Sequence, residues 1–272
     1  ALTRRPSLYR IRPDLFRGRH NRGGVFITPA RSKAANGLDA LQRWCHRGNF
    51  CRRLYYALRF LGVDGRHLCG TNLGASTELD PASVTPDLFD ETAIAVIEGY
   101  LLFNPNLMTA AVKAAKTAGA QIALDLASFE VVNATKPLLE KIVETHVDIL
   151  IANEDEARAY TGHEDEDMAL NLLAAQAPLA VLKKGDRGSS LAHEGRIIEI
   201  APETGNSAKD TTGAGDLWAA GFLFGLAHGF SLEDSGRLGS LLGYEVCQVV
   251  GAHIPEDAWQ RIHSFTAQRK CL

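Results

Sequence analysis

The heptapeptide Asp210–Asp216 (DTTGAGD) contains the residue types of this sequence that are best suited to chemistry. The apolar stretch Leu217–Leu226 follows it, and this pattern predicts a buried helix that begins at the glycines. Gly213 and Gly215 would allow the backbone to approach a ligand, and the N–H groups of a first helical turn bind anions. Asp216 would add a carboxylate that can accept a proton from an attacking hydroxyl group. The alternative is a capped turn before a buried helix, and Gly-Ala-Gly alone would not separate the two.

A second polar motif, NEDE, follows the apolar run 147–152 and begins a predicted helix. A glutamate near phosphates, here Glu156, can hold Mg²⁺ through water, because Mg²⁺ keeps much of its hydration shell. Asn153 can orient a phosphate or a water molecule. For Glu154 and Asp155 we favour a different interpretation, in which they form an acidic first turn stabilised by the helix dipole.

A third motif, KKGDRGS, follows the short apolar run 179–182. Lys183 or Lys184 could meet the phosphates of a nucleotide as a point charge. A hairpin turn with solvated charges explains either lysine equally well, so both interpretations stay open.

Apolar runs and helical periodicity alternate along residues 71–272, which predicts a mostly parallel sheet covered by helices on both faces. We expect strands at 93–98, 122–126, 147–152 and 179–182 and a hairpin of 190–192 with 197–200. We expect helices at 106–118, 136–145, 168–175, 215–228, 232–249 and 256–267, and a further helix that starts at residue 154. Such sheets bind ligands at the carboxyl ends of their strands, where all three motifs fall.

Composition limits the class of protein. The chain has 272 residues, of which 46% are hydrophobic, so it can bury a large core. No apolar run approaches the roughly 18–20 residues of a membrane span. The five cysteines are scattered and odd in number, which argues against a disulfide framework and favours a reducing cytoplasm.

Charge is distributed unevenly along the chain. Residues 1–70 contain 14 Arg and one Lys against three Asp and no Glu, a net charge of +12, whereas the remainder carries −15, which together make −3. We therefore divide the chain into an atypical Arg-rich segment, 1–70, and an α/β core, 71–272.

Four interpretations of the Arg-rich segment were considered. The arginines are scattered rather than on one periodic face, which disfavours nucleic-acid binding. A transit peptide is usually shorter and richer in serine. A zinc site would use Cys45, His46, Cys51, His67 and Cys69. These residues lack the paired C-x-x-C spacing that is typical of such sites. An out-of-frame or otherwise corrupted translation fits best, because the segment is rich in Arg and Cys and free of Glu.

The heptapeptide resembles the C-terminal signature of ribokinase-like (PfkB) kinases, D-T-x-G-A-G-D-x-F, with Trp218 in place of the final phenylalanine. The resemblance implies that Asp216 is the catalytic base and that ATP is the phosphoryl donor. It also implies that four residues bind phosphate: Thr212, Gly213, Ala214 and Gly215.

Two further motifs extend the resemblance. Asn153 and Glu156 are similar to the family's N-x-x-E motif, which implies a phosphate-orienting role for Asn153 and a Mg²⁺ site at Glu156. Lys184, Gly185 and Gly188 match the turn with G-x-x-G spacing that borders the nucleotide in the family.

The resemblance implies a three-layer α/β/α fold and transfer of the γ-phosphate of ATP to a hydroxyl group of a small sugar or nucleoside. The amino-acid sequence of residues 98–129 and 213–252 is most similar to the bacterial adenosine-kinase-like branch of the family. The expected partner is this small molecule, without membrane or nucleic acid, and a homodimer is an assembly to consider. The alternative is a catalytically silent kinase-fold protein with a regulatory or binding role.

The N-terminal part departs from the family pattern. We find no first strand and no G-G-x-x-x-N motif there, and Asn36 is a weak match for the final residue of that motif.

If residues 1–70 are an out-of-frame translation, the coding DNA should contain the native sequence in another reading frame. Another reading frame of the nucleotides for residues 1–70 should encode a strand followed by G-G-x-x-x-N. Sequencing the gene checks this, and an uninterrupted native frame with a well-folded segment would refute the interpretation.

Overall fold

The computed structural model describes residues 79–269 throughout and residues 25–29, 56–61 and 67–72 as strands. Asn36, Cys45, His46 and Cys51 lie outside the described residues.

The described strands form a seven-stranded sheet and a separate two-stranded pair. The strands are β1 (Val25–Pro29), β2 (Tyr56–Leu61), β3 (His67–Asn72), β4 (Thr92–Glu98), β5 (Gln121–Asp125), β6 (Ile149–Asn153), β7 (Leu179–Lys183), β8 (Ser189–His193) and β9 (Arg196–Ile200). The large sheet has the order β1-β4-β5-β6-β7-β8-β9, and β2 pairs with β3. Strands β4 to β7 are parallel, whereas β1, β8 and β9 are antiparallel to their neighbours. The sheet is therefore mostly parallel, as the sequence predicts.

Helices connect the parallel strands and follow the hairpin. The α-helices are α1 (Pro105–Thr117), α2 (Phe129–His146), α3 (Glu154–Thr161), α4 (Glu166–Ala174), α5 (Ala214–Ala227), α6 (Leu232–Val246) and α7 (Trp259–Ala267). Short 3-10 segments occur at Pro81–Ser83, Pro86–Phe89, Gly99–Phe103 and Gly185–Arg187. Within the described part of the chain, no helix combines the length and the apolar character needed to cross a bilayer.

The two faces of the sheet bury different helices, because successive side chains of a strand point to opposite faces. Ile97, Leu124 and Leu150 pack in one cluster with α1 to α4. Val96 and Ile151 pack in another with α5. A third cluster joins α5, α6 and α7. The chain thus has the three-layer α/β/α architecture expected from its resemblance.

The expectation that the N-terminal part contains no first strand was wrong. Strand β1 pairs antiparallel with β4, with Val25 opposite Ile97, and the register shifts at Thr28 and Pro29. Five residues are too few for a clear period-2 pattern, and the strand depends on hydrogen bonds to a partner some 70 residues away. The interpretation of residues 1–70 as an out-of-frame translation stays a prediction.

Helix α2 begins earlier than predicted, at Phe129 rather than at residue 136. Ser128 caps it, since its hydroxyl group accepts the N–H of Val131 at 3.3 Å. The predicted helix begins only at residue 136, next to Pro137, a residue type that usually interrupts a helix when it lies in the interior, as it does here. Burial of Val131 and Val132 in the core outweighs this local cost.

Helices α5 and α6 approach each other closely at glycines. A Cβ atom on Gly221 of α5 would lie 2.7 Å from the carbonyl oxygen of Leu238 and 3.1 Å from Cα of Gly239. These neighbours are backbone atoms, so they cannot move aside as a flexible side chain could. The contact fixes the position of α5, and with it the position of the heptapeptide at its start.

Gly221→Ala should therefore destabilise the protein by roughly 1–3 kcal/mol, despite the ~1 kcal/mol that alanine gains over glycine in a helix. Urea denaturation measures the change. Gly243→Ala on α6 is the matched control, because its Cβ atom would lie 3.3 Å from the nearest backbone oxygen and should cost less. Equal stability of the two variants would contradict the close approach.

Candidate active site at the carboxyl edge of the sheet

Four polar residues end the four parallel strands at one edge of the sheet. These are Glu98 on β4, Asp125 on β5, Asn153 on β6 and Lys183 on β7. The register pairs Glu98 with Asp125 and Asn153 with Lys183, whereas Asp125 lies opposite Ile151, so β6 and β7 end two residues beyond β4 and β5. Alternation along each strand places all four on the face that α5 covers. The sheet therefore brings together residues that are far apart in the sequence.

The turn before α5 is held by the carboxylate of Asp210. One of its oxygens accepts the N–H and the hydroxyl group of Thr212, at 3.0 and 2.6 Å, and the other accepts the N–H of Gly251 at 2.9 Å. Gly213 has a φ of 83°, in the left-handed region that favours glycine. A Cβ atom on Gly213 would also lie 2.7 Å from Cβ of Ala252. The heptapeptide and residues 251–252 thus form one rigid unit.

The backbone amides predicted to bind phosphate differ in whether their N–H groups already donate a hydrogen bond within the protein. The Thr212 N–H is bound by the carboxylate just described, and the Ala214 N–H donates to the carbonyl oxygen of Thr211 at 3.1 Å. Among the described residues, no atom accepts a hydrogen bond from the backbone N–H groups of Gly213 and Gly215. These two amides are at the positive end of the α5 dipole, so they are the donors best suited to an anion.

Asp216 lies in the first turn of α5 and is half-buried. Its carboxylate attracts the ammonium of Lys183, which contributes to the raised pKa of that lysine. The Lys183 Nζ atom lies 3.5 Å from the position that a Cβ atom on Gly215 would occupy. Asp216, the Gly215 backbone and Lys183 therefore lie in one small region at the start of α5.

Lys183 forms an ion pair with Asp125, with Nζ 2.8 Å from Oδ2, and the two side chains are 14% and 17% exposed. Burial disfavours the charged ammonium, but the carboxylates of Asp125, Glu156 and Asp216 outweigh it and raise the pKa of Lys183 above its ordinary value. Lys183 is consequently a cation within a group of carboxylates.

Asn153 and Glu156 form a reciprocal cap at the start of α3. The Glu156 N–H donates to the Asn153 amide oxygen at 2.9 Å. The two Glu156 carboxylate oxygens accept the Asn153 backbone N–H and its side-chain NH₂, each at 2.8 Å. This capping box explains why α3 begins here and fixes both side chains.

The Glu156 side chain is buried, with 2% of the residue exposed. Burial and the neighbouring carboxylate of Asp125 raise its pKa from 4.5 to about 7, against the opposing effects of Lys183 and the Asn153 N–H. A carboxylate with this pKa changes charge near neutral pH, so its ionisation is sensitive to any nearby cation.

The turn after β7 separates the two predicted lysines. Lys184 points away from Lys183 and pairs with Glu199 on β9 at 2.7 Å. Gly185 and Gly188 have φ values of 56° and 90°, and a Cβ atom on Gly188 would lie 2.1 Å from the carbonyl oxygen of Ile200. The two glycines therefore shape the turn, while the roles of Lys184, Gly185 and Gly188 at a nucleotide stay predictions.

Two features of the site were not assigned from the sequence. The choice between Lys183 and Lys184 stayed open, because strand alternation places the two lysines on opposite faces but does not show which face α5 covers. The role of Asp210 as the support of the turn was also missed, because its contact with Gly251 joins segments 41 residues apart.

Comparison of the chain with known proteins identifies its family. A model of the pfkB family carbohydrate kinases matches residues 52–259. The chain belongs to the PfkB family. The match begins before the boundary at residue 71 that the charge distribution suggested, and it includes the heptapeptide and both other motifs.

Solved and curated relatives agree with membership in the PfkB family. The adenosine kinase from Sinorhizobium meliloti is 32% identical and superposes with a TM-score of 0.71, over 76% of this chain and 65% of that one. A probable sugar kinase from Rhizobium etli is 29% identical with the same TM-score, over 76% and 64%. A cytidine kinase from Thermococcus kodakarensis is 38% identical over 119 residues, which are 43% of this chain and 42% of that protein. This PfkB member thus spans less than two thirds of each of these relatives.

The raised pKa of Glu156 predicts a specific dependence of stability on pH. The folded pKa of about 7 exceeds the ordinary 4.5, so between these values the unfolded chain has released a proton that the folded protein retains. Stability should therefore fall as the pH rises from 5 to 8, and Glu156→Gln should remove this fall. Between pH 5 and pH 8, the difference in unfolding free energy between the unaltered protein and Glu156→Gln should change by on the order of 2 kcal/mol.

Urea denaturation at several pH values, without added divalent cations, measures this difference. Glu140→Gln, at an exposed position on α2, is the matched control and should follow the unaltered protein. If the unfolding free energies of the unaltered protein and of Glu156→Gln change in parallel with pH, Glu156 does not titrate in this range.

Proposed function

We propose that this chain is an ATP-dependent phosphotransferase that moves the γ-phosphoryl group of ATP to a hydroxyl group of a small sugar or nucleoside. The observation that carries the proposal is the position of Asp216 in the first turn of α5. It lies beside the Gly213 and Gly215 amides, which have no acceptor among the described residues. Membership in the PfkB family supports the same reaction class.

The proposed reaction is a direct transfer. The acceptor oxygen attacks the γ-phosphorus, its proton passes to the carboxylate of Asp216, and the bond from the γ-phosphorus to the bridging oxygen of ADP breaks. The Gly213 and Gly215 amides stabilise the negative charge on the phosphoryl oxygens during the transfer. The Asp210 carboxylate contributes by holding the turn, so the amides need no rearrangement when the charge moves.

The carboxylates at the sheet edge fit a magnesium ion that is bound mainly through water and the phosphates of ATP. Oxygen ligands suit Mg²⁺, and the Glu156 carboxylate supplies them, but the described residues contain no group of three potential metal ligands. Glu156, oriented by Asn153, would hold the ion, which when bound neutralises charge on the phosphates. This fit supports the requirement for Mg²⁺ that we propose.

For the acceptor we propose a nucleoside as the first class to test. The supporting relatives are an adenosine kinase and a cytidine kinase, at 32% and 38% identity. Release of ADP in the presence of ATP and Mg²⁺, measured with adenosine, cytidine, ribose and fructose in turn, compares the two acceptor classes. Turnover with none of them would count against the phosphotransfer proposal.

Asp216→Asn should lower kcat by about a thousandfold or more, because the amide cannot accept the proton of the attacking hydroxyl group. ATP affinity, measured by calorimetry, should remain largely unchanged, since the amides that bind phosphate are backbone groups.

Asp167→Asn is the matched control, because Asp167 is exposed on α4, on the far side of the sheet from α5. Full activity in Asp216→Asn would reject Asp216 as the base. Loss of ATP binding together with a lowered unfolding temperature would instead indicate a damaged fold.

A further inference from the structure

We propose that Lys183 and Asp125 form a second functional pair in this site. Lys183 is a catalytic residue that stabilises charge on the transferring phosphoryl group, and Asp125 positions its ammonium. This inference rests on the proposed phosphotransfer function and adds two residues to it.

The pair joins two strands that are not neighbours. Asp125 ends β5 and Lys183 ends β7, with β6 between them. Alternate strands lie about 10 Å apart, so the lysine side chain must extend across the end of β6 to reach Oδ2 of Asp125 at 2.8 Å. Its ammonium is therefore held over the carboxyl edge of the sheet, where the heptapeptide begins α5.

Asp125 is itself fixed before any ligand binds. Its second oxygen, Oδ1, accepts the N–H of Ala127 at 3.1 Å. Ala127 has a φ of 69°, so the chain turns sharply after β5 and directs this N–H back to the carboxylate. With one oxygen held by the backbone, the other presents a fixed acceptor to Lys183.

The location of the ammonium favours a role in the reaction over a role in stability. Removing two charges from water is costly, and a largely buried ion pair is often no more stable than an apolar pair of similar size. Here the ammonium lies 3.5 Å from the Cβ position of Gly215, beside one of the two amides without an acceptor.

A fixed cation beside these amides acts on the group whose charge changes. In phosphoryl transfer, negative charge is spread over the equatorial oxygens of the transferring group. A positive charge that is held in place beforehand stabilises this state without reorganisation. The ion pair with Asp125 holds the Lys183 ammonium at this position, with Nζ 2.8 Å from Oδ2.

Steady-state kinetics on the full chain test the pair. Lys183→Met should lower kcat about 100-fold to 1000-fold, while KM for ATP changes by less than about threefold, since the charge acts mainly in the transition state. Asp125→Asn should lower kcat about tenfold, because the ammonium loses its fixed position. The double variant should be no slower than Lys183→Met, since Asp125 acts through Lys183.

Lys141→Met, at an exposed position on α2, is the matched control and should retain the activity of the unaltered protein. Urea denaturation of each variant separates a lost fold from lost chemistry. If Lys183→Met keeps its kcat within threefold, or changes only KM for ATP, the catalytic role of Lys183 is overturned. Additive losses in the double variant would overturn the positioning role of Asp125.

The same experiment distinguishes this inference from the proposed function. Turnover by the unaltered protein with a loss in Asp216→Asn but none in Lys183→Met would overturn only the present inference. Absence of turnover by the unaltered protein with every acceptor would overturn both.

Discussion

The arrangement of charge at the carboxyl edge of the sheet depends on one ion pair, between Lys183 and Asp125. Without the ammonium, Asp125, Glu156 and Asp216 would form an uncompensated group of carboxylates in a partly buried site. With it, one cation lies among three acids beside the start of α5. Such a group still carries excess negative charge, so the edge is suited to a ligand that arrives together with a divalent cation.

The apolar core positions this edge. The parallel strands β4 to β7 end at the same edge of the sheet, and α5 is held on them by Trp218, Phe222 and Leu223. The close approach of α5 to α6 at Gly221 prevents α5 from sliding. Packing that is remote from the polar residues thus determines where the heptapeptide meets the strand ends.

Much of the fold and part of the candidate site could be predicted from residue types and local pattern. The strand and helix positions after residue 90 mostly agree within a few residues, because long apolar runs and helical periodicity dominate local structure there. Strand β1 was missed, since its stability comes from pairing with β4 rather than from its own five residues. The start of α2 was predicted at residue 136 instead of Phe129, because the local pattern does not show that Val131 and Val132 are buried in the core.

The sequence by itself determined the family resemblance, the succession of strands and helices, and the motifs that contain Asp216, Asn153 and Glu156. It did so because these features depend on short spacings along the chain. Only the tertiary structure decided that Lys183 rather than Lys184 lies beside the start of α5, and that the amides of Gly213 and Gly215 lack an acceptor among the described residues. These facts depend on strand order, on which helix covers which face, and on contacts between segments distant in the sequence, which a local pattern does not contain.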